Sequence, residues 1–309
     1  MIAPVESIKG RDFIDVIDLD PRQLRHLLNL ARAIKGGTWA ERPLQGKHIA
    51  MLFQRPSHRT RVSFEVGIAR LGAAITTLTG QDVQLGFRES VPDAARVLDR
   101  YVDGIVARLR SHSDLLQLAH WSEKPVINAL TDRSHPCQIL ADLMTLEEVG
   151  GDLARQHVVY IGDGNNIASS LIEASALSGF ALTVVTPPGY DPPASVIERA
   201  RSIGSGNHFT LTNQVTLHNA TAIYTDVWAS MGQEDERAPR RAAFTGYQVN
   251  QRLMDAAPGA VFMHCLPAHR GEEVTDEVID GPRSVVFQQA ENRLYAQMAL
   301  MAEIFGSWS

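Results

Sequence analysis

The segment QRPSHRTRVSFE, residues 54–65, contains residue types that bind phosphate groups. A buried apolar run is predicted to end at Phe53, and Ser57 is suited to cap the helix that follows. A helix start attracts anions because its N–H groups are free and the helix dipole is positive there. Arg59 and Thr60 add a guanidinium group and a hydroxyl that suit a phosphate. The pattern indicates a phosphate site, and the alternative is an exposed basic helix start with a capping serine.

Two further polar features lie at ends of predicted elements. Arg108 follows the apolar run GIVA, and open α/β sheets bind ligands at the carboxyl ends of their strands. An arginine taken alone is more often a surface or salt-bridging residue. His135 and Gln138 lie one helical step apart, and neutral histidine and glutamine can both recognise a carbonyl or an amide. A lone histidine is usually structural, but the company of Gln138 favours a hydrogen-bonding role.

The segment GDGNNIA, residues 162–168, imitates the G-x-G-x-x-A fingerprint of dinucleotide-binding proteins. That fingerprint normally has an acidic partner for a ribose hydroxyl, but the next predicted strand, LTVV, is followed by TPPGY. The segment therefore supports NAD binding only weakly. Asn165 and Asn166 are candidates for contact with a polar substrate instead.

Histidine and cysteine lie close together at two places, His135 with Cys137 and His264 with Cys265. Neither pair has ordinary zinc-ligand spacing. Neighbouring side chains on one strand point to opposite faces, so His264 and Cys265 are predicted to diverge. We therefore expect no metal, and Cys265 is predicted to be a pocket residue at the end of its strand.

The chain has 309 residues and a net charge of −6 from 29 basic and 35 acidic residues. Such a balance argues against a nucleic-acid surface, although a few arginines can still build a local anion site. Two cysteines form no disulfide framework, which fits a reducing compartment. The N-terminal segment lacks an apolar signal core, and no run is long and apolar enough to span a bilayer. We expect a soluble, cytoplasmic protein without a membrane partner.

Short apolar runs alternate with amphipathic segments, which predicts an α/β fold with parallel sheets. Gly150-Gly151 is a predicted breakpoint, after which a second series of the same kind begins, and residues 225–241 are predicted to form a mobile, substrate-covering loop. The predicted strands are His48–Phe53, Ile75–Leu78, Gly104–Ala107, Pro125–Asn128, Val158–Ile161, Leu182–Thr186, Ala222–Tyr224, Val261–His264 and Ser284–Phe287. The predicted helices are Pro21–Ile34, Arg59–Leu71, Val91–Tyr101, Gln138–Glu148, Ile167–Leu177, Ala194–Ser202 and Arg293–Phe305.

Taken in order along the chain, these segments resemble the aspartate/ornithine carbamoyltransferase family. The family's S-T-R-T-R motif is matched by SHRTR at residues 57–61, and its H-P-x-Q motif by HPCQ at residues 135–138. Two motifs are typical of the ornithine branch, DVWASMG at residues 226–232 and HCLP at residues 264–267. The tail AENRLYAQMAL, beginning at Ala290, is also similar. The resemblance covers nearly the whole chain.

The resemblance implies two domains, each a parallel sheet flanked by helices, with a C-terminal helix that packs back on the first domain. Residues 1–149 would bind carbamoyl phosphate, residues 150–290 would bind ornithine, and residues 291–309 would form the returning helix. The implied reaction moves the carbamoyl group of carbamoyl phosphate to the side-chain amine of ornithine, with no cofactor and no metal. A homotrimer and a place in arginine biosynthesis are implied as well, while the direction of the reaction in the cell stays open.

Roles for individual residues are implied in the same way. The residues expected to act on the reacting groups are Arg59, Arg108, His135 and Cys265. The residues expected to bind carbamoyl phosphate are Ser57, His58, Arg59, Thr60, Gln84, Arg108, His135, Gln138, Cys265, Leu266 and Arg293. The residues expected to bind ornithine are Asn166, Asp226, Ser230 and Met231. Gln84 is expected to reach the site of a neighbouring subunit.

One position departs clearly from the family pattern, because His58 stands where the motif has threonine. If this position acts through its backbone N–H, the change is tolerable; if a hydroxyl is required, phosphate binding would be weaker. Rival hypotheses are a carbamoyltransferase for putrescine, an acylated ornithine or aspartate, an NAD-dependent dehydrogenase, and a non-catalytic homologue. The two ornithine-branch motifs favour free ornithine over the other amines.

Overall fold

The computed structural model describes residues 5–80, 82, 84–86, 88–203, 208–229 and 234–307. The chain divides into two compact units, Met1–Met144 together with Asn292–Ser309, and Thr145–Glu291. Each unit contains one parallel sheet with helices packed against it, and a C-terminal helix packs on the first unit. The fold class predicted from the sequence is therefore confirmed.

The first unit is built on a four-stranded sheet with the strand order β2-β1-β3-β4. All its pairings are parallel, and Phe53 pairs with Arg108, so the ends of β1 and β3 meet at one edge. Its strands are β1 (His48–Phe53), β2 (Ala74–Thr79), β3 (Gly104–Arg108) and β4 (Val126–Leu130). Its helices are α1 (Pro21–Lys35), α2 (His58–Leu71), α3 (Val91–Leu98), α4 (His112–Trp121) and α5 (Pro136–Gly150), the last of which continues into the second unit.

The second unit is built on a five-stranded sheet with the strand order β7-β6-β5-β8-β9, again parallel throughout. Its strands are β5 (His157–Ile161), β6 (Ala181–Val185), β7 (Phe209–Thr212), β8 (Ala222–Thr225) and β9 (Val261–His264). Its helices are α6 (Asn166–Ser178), α7 (Ala194–Ile203), α8 (Arg237–Ala243), α9 (Gln251–Asp255) and α10 (Asp276–Ile279). The last helix, α11 (Val286–Phe305), begins in this unit and ends in the first.

Strands β1, β3 and β5 consist mostly of buried apolar residues, because helices cover both faces of a parallel sheet. In the first unit, buried side chains of β1, β3 and β4 pack against α3 and α4, with Leu115 and Leu118 of α4 fully buried. In the second, Ile161 and Phe262 lie in a core that also includes residues of α9 and α10. Burial of this kind contributes about 25 cal/mol for each Å² of apolar surface removed from water.

The C-terminal helix approaches α2 closely at Gly67. A Cβ atom added there would lie 3.1 Å from the side chains of Met298 and Met301. This distance is tighter than ordinary van der Waals contact, so the absence of a side chain at this position lets the two helices pack. The packing brings the C-terminal helix onto the first unit, as the resemblance implied.

Two predictions about local structure were wrong. Ser284–Phe287 is not a strand: Ser284 forms an isolated bridge with Phe262, and α11 begins at Val286. The apolar residues of this segment are compatible with a strand or with a helix. The segment becomes helical because it continues into the long α11. The segment 225–241 is not a loop throughout, since α8 begins at Arg237 and the side chain of Arg240 is buried.

Within the described ranges, no helix combines the length and the apolar composition needed to cross a membrane.

Candidate functional site

The start of α2 presents backbone N–H groups at the end of β1. Ser57 occupies the N-cap position with extended dihedral angles (φ −160°, ψ 99°), but among the described residues its hydroxyl accepts no N–H of the first turn. Its predicted capping bond is therefore not formed, and hydroxyl and N–H groups stay available to an anion. His58 is the first residue of α2 and is exposed, whereas Thr60 is buried. The local geometry is that of an anion site at a helix start.

A hydrogen-bonded chain links the C-terminal helix to α2 and α5. Arg293 donates to Thr60 Oγ1 through Nη2 at 2.7 Å, and to Gln138 Oε1 through Nη1. Gln138 in turn donates through Nε2 to Asp142 Oδ1 at 2.8 Å. All four side chains are buried, so the fork of Arg293 is held in a fixed orientation. Three of the residues predicted for the carbamoyl phosphate site are thus in direct contact.

His135 lies just before α5, inside a strongly positive environment. Its pKa is well below the ordinary value of 6.5, first because the ring is buried and then because Arg293, Arg108 and Arg59 repel a proton. The imidazole is therefore neutral at neutral pH and can donate or accept a hydrogen bond. Arg108, the last residue of β3, is itself buried, and its carbonyl accepts the Gln54 N–H at 3.1 Å. The charges of Arg59, Arg108 and Arg293 thus all act on the buried ring of His135.

Cys137 and Gln84 differ in burial and in their hydrogen-bond partners. The thiol of Cys137 donates to the carbonyl of Asn128 at 3.2 Å, and burial raises its pKa to about 12. It is an inert core residue. Gln84 is exposed in the segment after β2, where its carbonyl accepts the Arg88 N–H at 2.9 Å.

In the second unit, the ends of β5, β8 and β9 bring three polar side chains together. Asp226 follows β8, and its Oδ1 accepts the thiol of Cys265 at 3.1 Å. Its Oδ2 accepts Nδ2 of Asn165 at 2.7 Å. Asn165 caps α6 through its side-chain oxygen, which accepts the N–H groups of Ile167 and Ala168. The carboxylate is thus oriented from two sides, which preorganises it for a cationic or hydrogen-bond-donating ligand.

The HCLP segment is fixed by a buried histidine and glutamate. His264 accepts the Leu266 N–H through Nδ1 at 2.8 Å, and its Nε2 lies 3.1 Å from Glu273 Oε1. Leu266 has φ 58°, in the left-handed region that β-turn and cap residues other than glycine rarely adopt. The same Glu273 oxygen accepts the His269 N–H at 2.6 Å. These bonds hold the turn that carries Cys265.

The prediction that His264 and Cys265 diverge was wrong. Donor atoms of Asp226, His264 and Cys265 lie within 4.8 Å of one another, because β9 ends at His264 and strand alternation does not extend to Cys265. Three such groups could approach a metal ion. Both ring nitrogens of His264 are, however, engaged by Leu266 and Glu273, which opposes a ligand role for this ring.

The GDGNNIA segment is shaped by packing rather than by a nucleotide. A Cβ atom at Gly164 would lie 2.3 Å from the backbone nitrogen of Pro192 and 2.5 Å from the carbonyl oxygen of Tyr190. Glycine is therefore required at this position for the close approach of the segment after β6. Its presence gives no support to the dehydrogenase alternative.

A buried ion pair joins this segment to α8. Arg240 of α8 is 2.9 Å from Asp163 Oδ2 and donates to the carbonyl of Trp228 at 2.9 Å. Burial raises the pKa of Asp163 to about 6, although Arg240 acts in the opposite direction. The hydroxyl of Tyr160 donates to the Asp163 carbonyl at 2.9 Å, and burial together with nearby acidic groups raises the pKa of that phenol. The segment 160–165 is thereby connected to Arg240 and, through it, to Trp228.

Asn166, Ser230 and Met231 are the other residues predicted to bind ornithine. Asn166 is the first residue of α6, is partly buried and directly follows Asn165. Ser230 and Met231 lie outside the described residues. Asn165, which the sequence indicates as a candidate for a polar contact, donates to Asp226, and its side chain caps α6.

Comparison with known proteins gives the same assignment for both units. Residues 11–148 match the family model "Aspartate/ornithine carbamoyltransferase, carbamoyl-P binding domain", and residues 154–304 match "Aspartate/ornithine carbamoyltransferase, Asp/Orn binding domain". An ornithine carbamoyltransferase of Thermococcus kodakarensis is 50% identical, over 98% of this chain and 98% of that protein. One from Symbiobacterium thermophilum is 49% identical, over 96% of this chain and 99% of that protein. The solved ornithine carbamoyltransferase from Pyrococcus furiosus is 48% identical, covers 99% of this chain and 100% of that chain, and superposes with a TM-score of 0.91.

These matches agree with the arginine-rich site around His135 and with the oriented carboxylate of Asp226. The chain belongs to the aspartate/ornithine carbamoyltransferase family and is a carbamoyltransferase.

Proposed function

We propose that this chain transfers the carbamoyl group of carbamoyl phosphate to the side-chain amine of L-ornithine, giving L-citrulline and phosphate. The observation that carries the proposal is the neutral, buried His135 among Arg59, Arg108 and Arg293. Such a site stabilises negative charge on a substrate without offering a proton that would neutralise it. The relatives named as ornithine carbamoyltransferases support ornithine as the acceptor.

The phosphate of carbamoyl phosphate binds at the start of α2. Ser57 supplies a hydroxyl, and Arg59 and Thr60 supply a charged donor and a second hydroxyl. His58 acts through its backbone N–H, which is one of the free groups of the first helical turn. In a homotrimer, Gln84 of one subunit adds a donor to the site of its neighbour. The exposed position of Gln84 is compatible with that role.

The carbamoyl carbonyl is polarised by Arg108 and His135, with Thr60 beside them. Gln138 and Arg293 hold the carbamoyl end, and their mutual hydrogen bond fixes its orientation. As the amine attacks, negative charge grows on the carbonyl oxygen and then on the leaving phosphate. Fixed cations and N–H donors aimed at these atoms are expected to supply most of the rate enhancement.

Ornithine is held by the second unit. Asp226 accepts the α-ammonium group, and Asn166, Ser230 and Met231 contact the amino-acid end. Cys265 and the backbone of Leu266 meet the reacting amine and the carbamoyl group. The hydrogen bonds from Asn165 and Cys265 support the role of Asp226, because they hold its carboxylate in one orientation.

The reaction requires a neutral amine, whose ordinary pKa resembles that of lysine at about 10.4. The deprotonated nitrogen attacks the carbamoyl carbon, and a carbon–nitrogen bond forms in a tetrahedral intermediate. The carbon–oxygen bond to phosphate then breaks, phosphate leaves with the electron pair, and the nitrogen loses its second proton. No electron is transferred to or from an external acceptor, so this chemistry balances with the two substrates alone.

The resemblance also supports a homotrimeric, cytoplasmic enzyme of arginine biosynthesis. These features follow from the family rather than from the contacts of a single chain. Sedimentation of the purified protein tests the trimer.

Product formation from carbamoyl phosphate tests the activity, with ornithine, putrescine, N-acetylornithine and aspartate offered in separate reactions. Citrulline from ornithine, with the other amines slow, is the expected result. Rapid reaction with another amine would keep the family and reject the proposed roles of Asp226 and residues 230–231. Absence of any reaction would reject the proposed activity.

A further inference from the structure

A buried histidine outside the proposed substrate contacts joins two loops of the first unit. His112 is the first residue of α4 and only 6% exposed. Its Nδ1 lies 2.9 Å from Thr131 Oγ1, and its Nε2 lies 3.9 Å from the carboxylate of Asp15. Asp15 is 3% exposed, so the carboxylate and the imidazole face each other in the interior. In the tautomer with the proton on Nε2, on the side of the carboxylate, Nδ1 accepts the Thr131 hydroxyl.

Thr131 closes the turn that precedes His135. Its N–H donates to the carbonyl of Ser134 at 2.9 Å, and its Oγ1 accepts the Ser134 N–H at 3.3 Å. The Thr131 side chain therefore contacts both the turn and His112. Ser134 is directly followed by His135, so the conformation of this turn sets where the imidazole of His135 stands.

Three further hydrogen bonds, each donated by a backbone N–H, join residues 108–112 to residues 130–135. The His112 N–H donates to Asp132 Oδ1 at 2.9 Å, and the Asp132 N–H donates to the carbonyl of Arg110 at 3.2 Å. The Leu109 N–H donates to the carbonyl of Leu130 at 3.1 Å. The segments 108–112 and 130–135 therefore act as one unit, with Arg108 at the start of one and His135 at the end of the other.

We propose that the buried Asp15–His112–Thr131 chain makes His112 a positioning residue, which fixes His135 relative to the carbamoyl carbonyl. The inference rests on the proposed function, in which His135 acts on that carbonyl. His112 does not touch substrate in this assignment. It acts through the Thr131–Ser134 turn, so its loss displaces a catalytic group rather than removing one.

A double-mutant cycle separates this role from a purely structural one. His112→Leu keeps most of the volume and removes both polar contacts, and kcat is expected to fall about 10- to 100-fold, since small misplacements of catalytic groups have effects of that size. In a His135→Asn background, the same substitution is expected to change kcat less than about twofold, because groups that act as a unit are not additive. Inorganic phosphate should bind the His112→Leu variant within about twofold of the wild-type affinity, because α2 is unchanged.

Thr131→Val provides a second route if His112→Leu folds poorly. It removes only the hydroxyl, and it is expected to reproduce the fall in kcat and its disappearance in the His135→Asn background. His120→Leu is the matched control, since His120 is an exposed residue at the other end of the same helix. His112→Gln, which retains a polar side chain, should recover part of the lost kcat.

Equal losses of kcat in the wild-type and His135→Asn backgrounds would overturn the proposal. So would a lower Tm with unchanged kcat per folded molecule, which is the result of a merely structural role. Failure of the proposed function has a different signature, since the wild-type protein would then form no citrulline before any substitution is made.

Discussion

Arg293 and Thr60 are joined by a 2.7 Å hydrogen bond although 233 positions separate them in the chain. Because the same guanidinium also binds Gln138, its orientation is set by the fold. A cation held in this way needs no reorganisation when charge develops on a substrate. In the proposed function, the C-terminal helix is thus part of the carbamoyl phosphate site and not only a packing element.

Arg108 is expected to act on the transition state. Arg108→Leu should lower kcat about 100- to 1,000-fold, the usual effect of removing one oxyanion donor. Arg110→Leu is the matched control, because Arg110 is an exposed arginine two positions later. Steady-state kinetics with ornithine saturating give the comparison. Turnover close to wild type in Arg108→Leu would remove this arginine from the mechanism.

His58 should contribute its backbone N–H and not its ring. His58→Thr is therefore expected to change the KM for carbamoyl phosphate less than about threefold. His58→Pro removes the N–H at a position where proline suits a helix, and it should raise that KM about tenfold, the size of one charge-assisted hydrogen bond. Circular dichroism checks that α2 persists. A large gain from threonine, with little loss from proline, would show that a hydroxyl is required.

Asp226 should bind ornithine without affecting the other substrate. Asp226→Asn is expected to raise the KM for ornithine about 100-fold, because a charged partner of the α-ammonium group is lost. The affinity for inorganic phosphate should stay within about twofold. Asp276→Asn, at an exposed aspartate of the same unit, provides the control. Parallel losses of phosphate and ornithine binding would instead indicate misfolding.

The raised pKa of Asp163 predicts a specific pH dependence of stability. Its pKa of about 6 exceeds the ordinary value of 3.8, so the folded protein binds this proton more tightly than the unfolded chain does. The contribution is therefore complete below pH 4 and is lost as the pH rises through 6. The free energy of unfolding of the wild type, relative to Asp163→Asn, should fall by up to about 3 kcal/mol across this window.

Denaturant unfolding of both proteins between pH 4 and pH 7.5 measures that difference. A difference that rises with pH would mean that the ion pair with Arg240 dominates and that the carboxyl pKa lies below its ordinary value.

The sequence predicted every strand except β7 and most of the helices, but not α4, α8, α9 or α10. The residues assigned to carbamoyl phosphate stay a prediction. Apolar runs placed most strands within one or two residues, and the residues after them lie at one edge of each sheet because parallel strands end there. Contacts between residues that are distant in the chain could not be predicted from the sequence. Asn165 and Asp226 meet across 61 positions, and only the order of the strands brings them together.

Local periodicity failed where an element ends or where two elements compete. His264 and Cys265 were expected on opposite faces, but the strand stops between them, so alternation no longer applies. The apolar letters of residues 284–287 fit a strand as well as a helix, and the long helix that follows decides the outcome. Buried partners such as Arg240 could not be recognised, since a charged segment normally indicates solvent exposure.

The carbon–nitrogen bond that the proposed reaction forms can be detected with isotope labels. Carbamoyl phosphate labelled with ¹³C and ornithine labelled with ¹⁵N at the side-chain amine are incubated with the wild-type protein, and the product is examined by NMR. Citrulline with a carbon–nitrogen coupling between the two labels is expected, together with an equal amount of inorganic phosphate. Phosphate release without that coupling, or a carbamoyl group on the unlabelled α-amine, would contradict the proposed reaction.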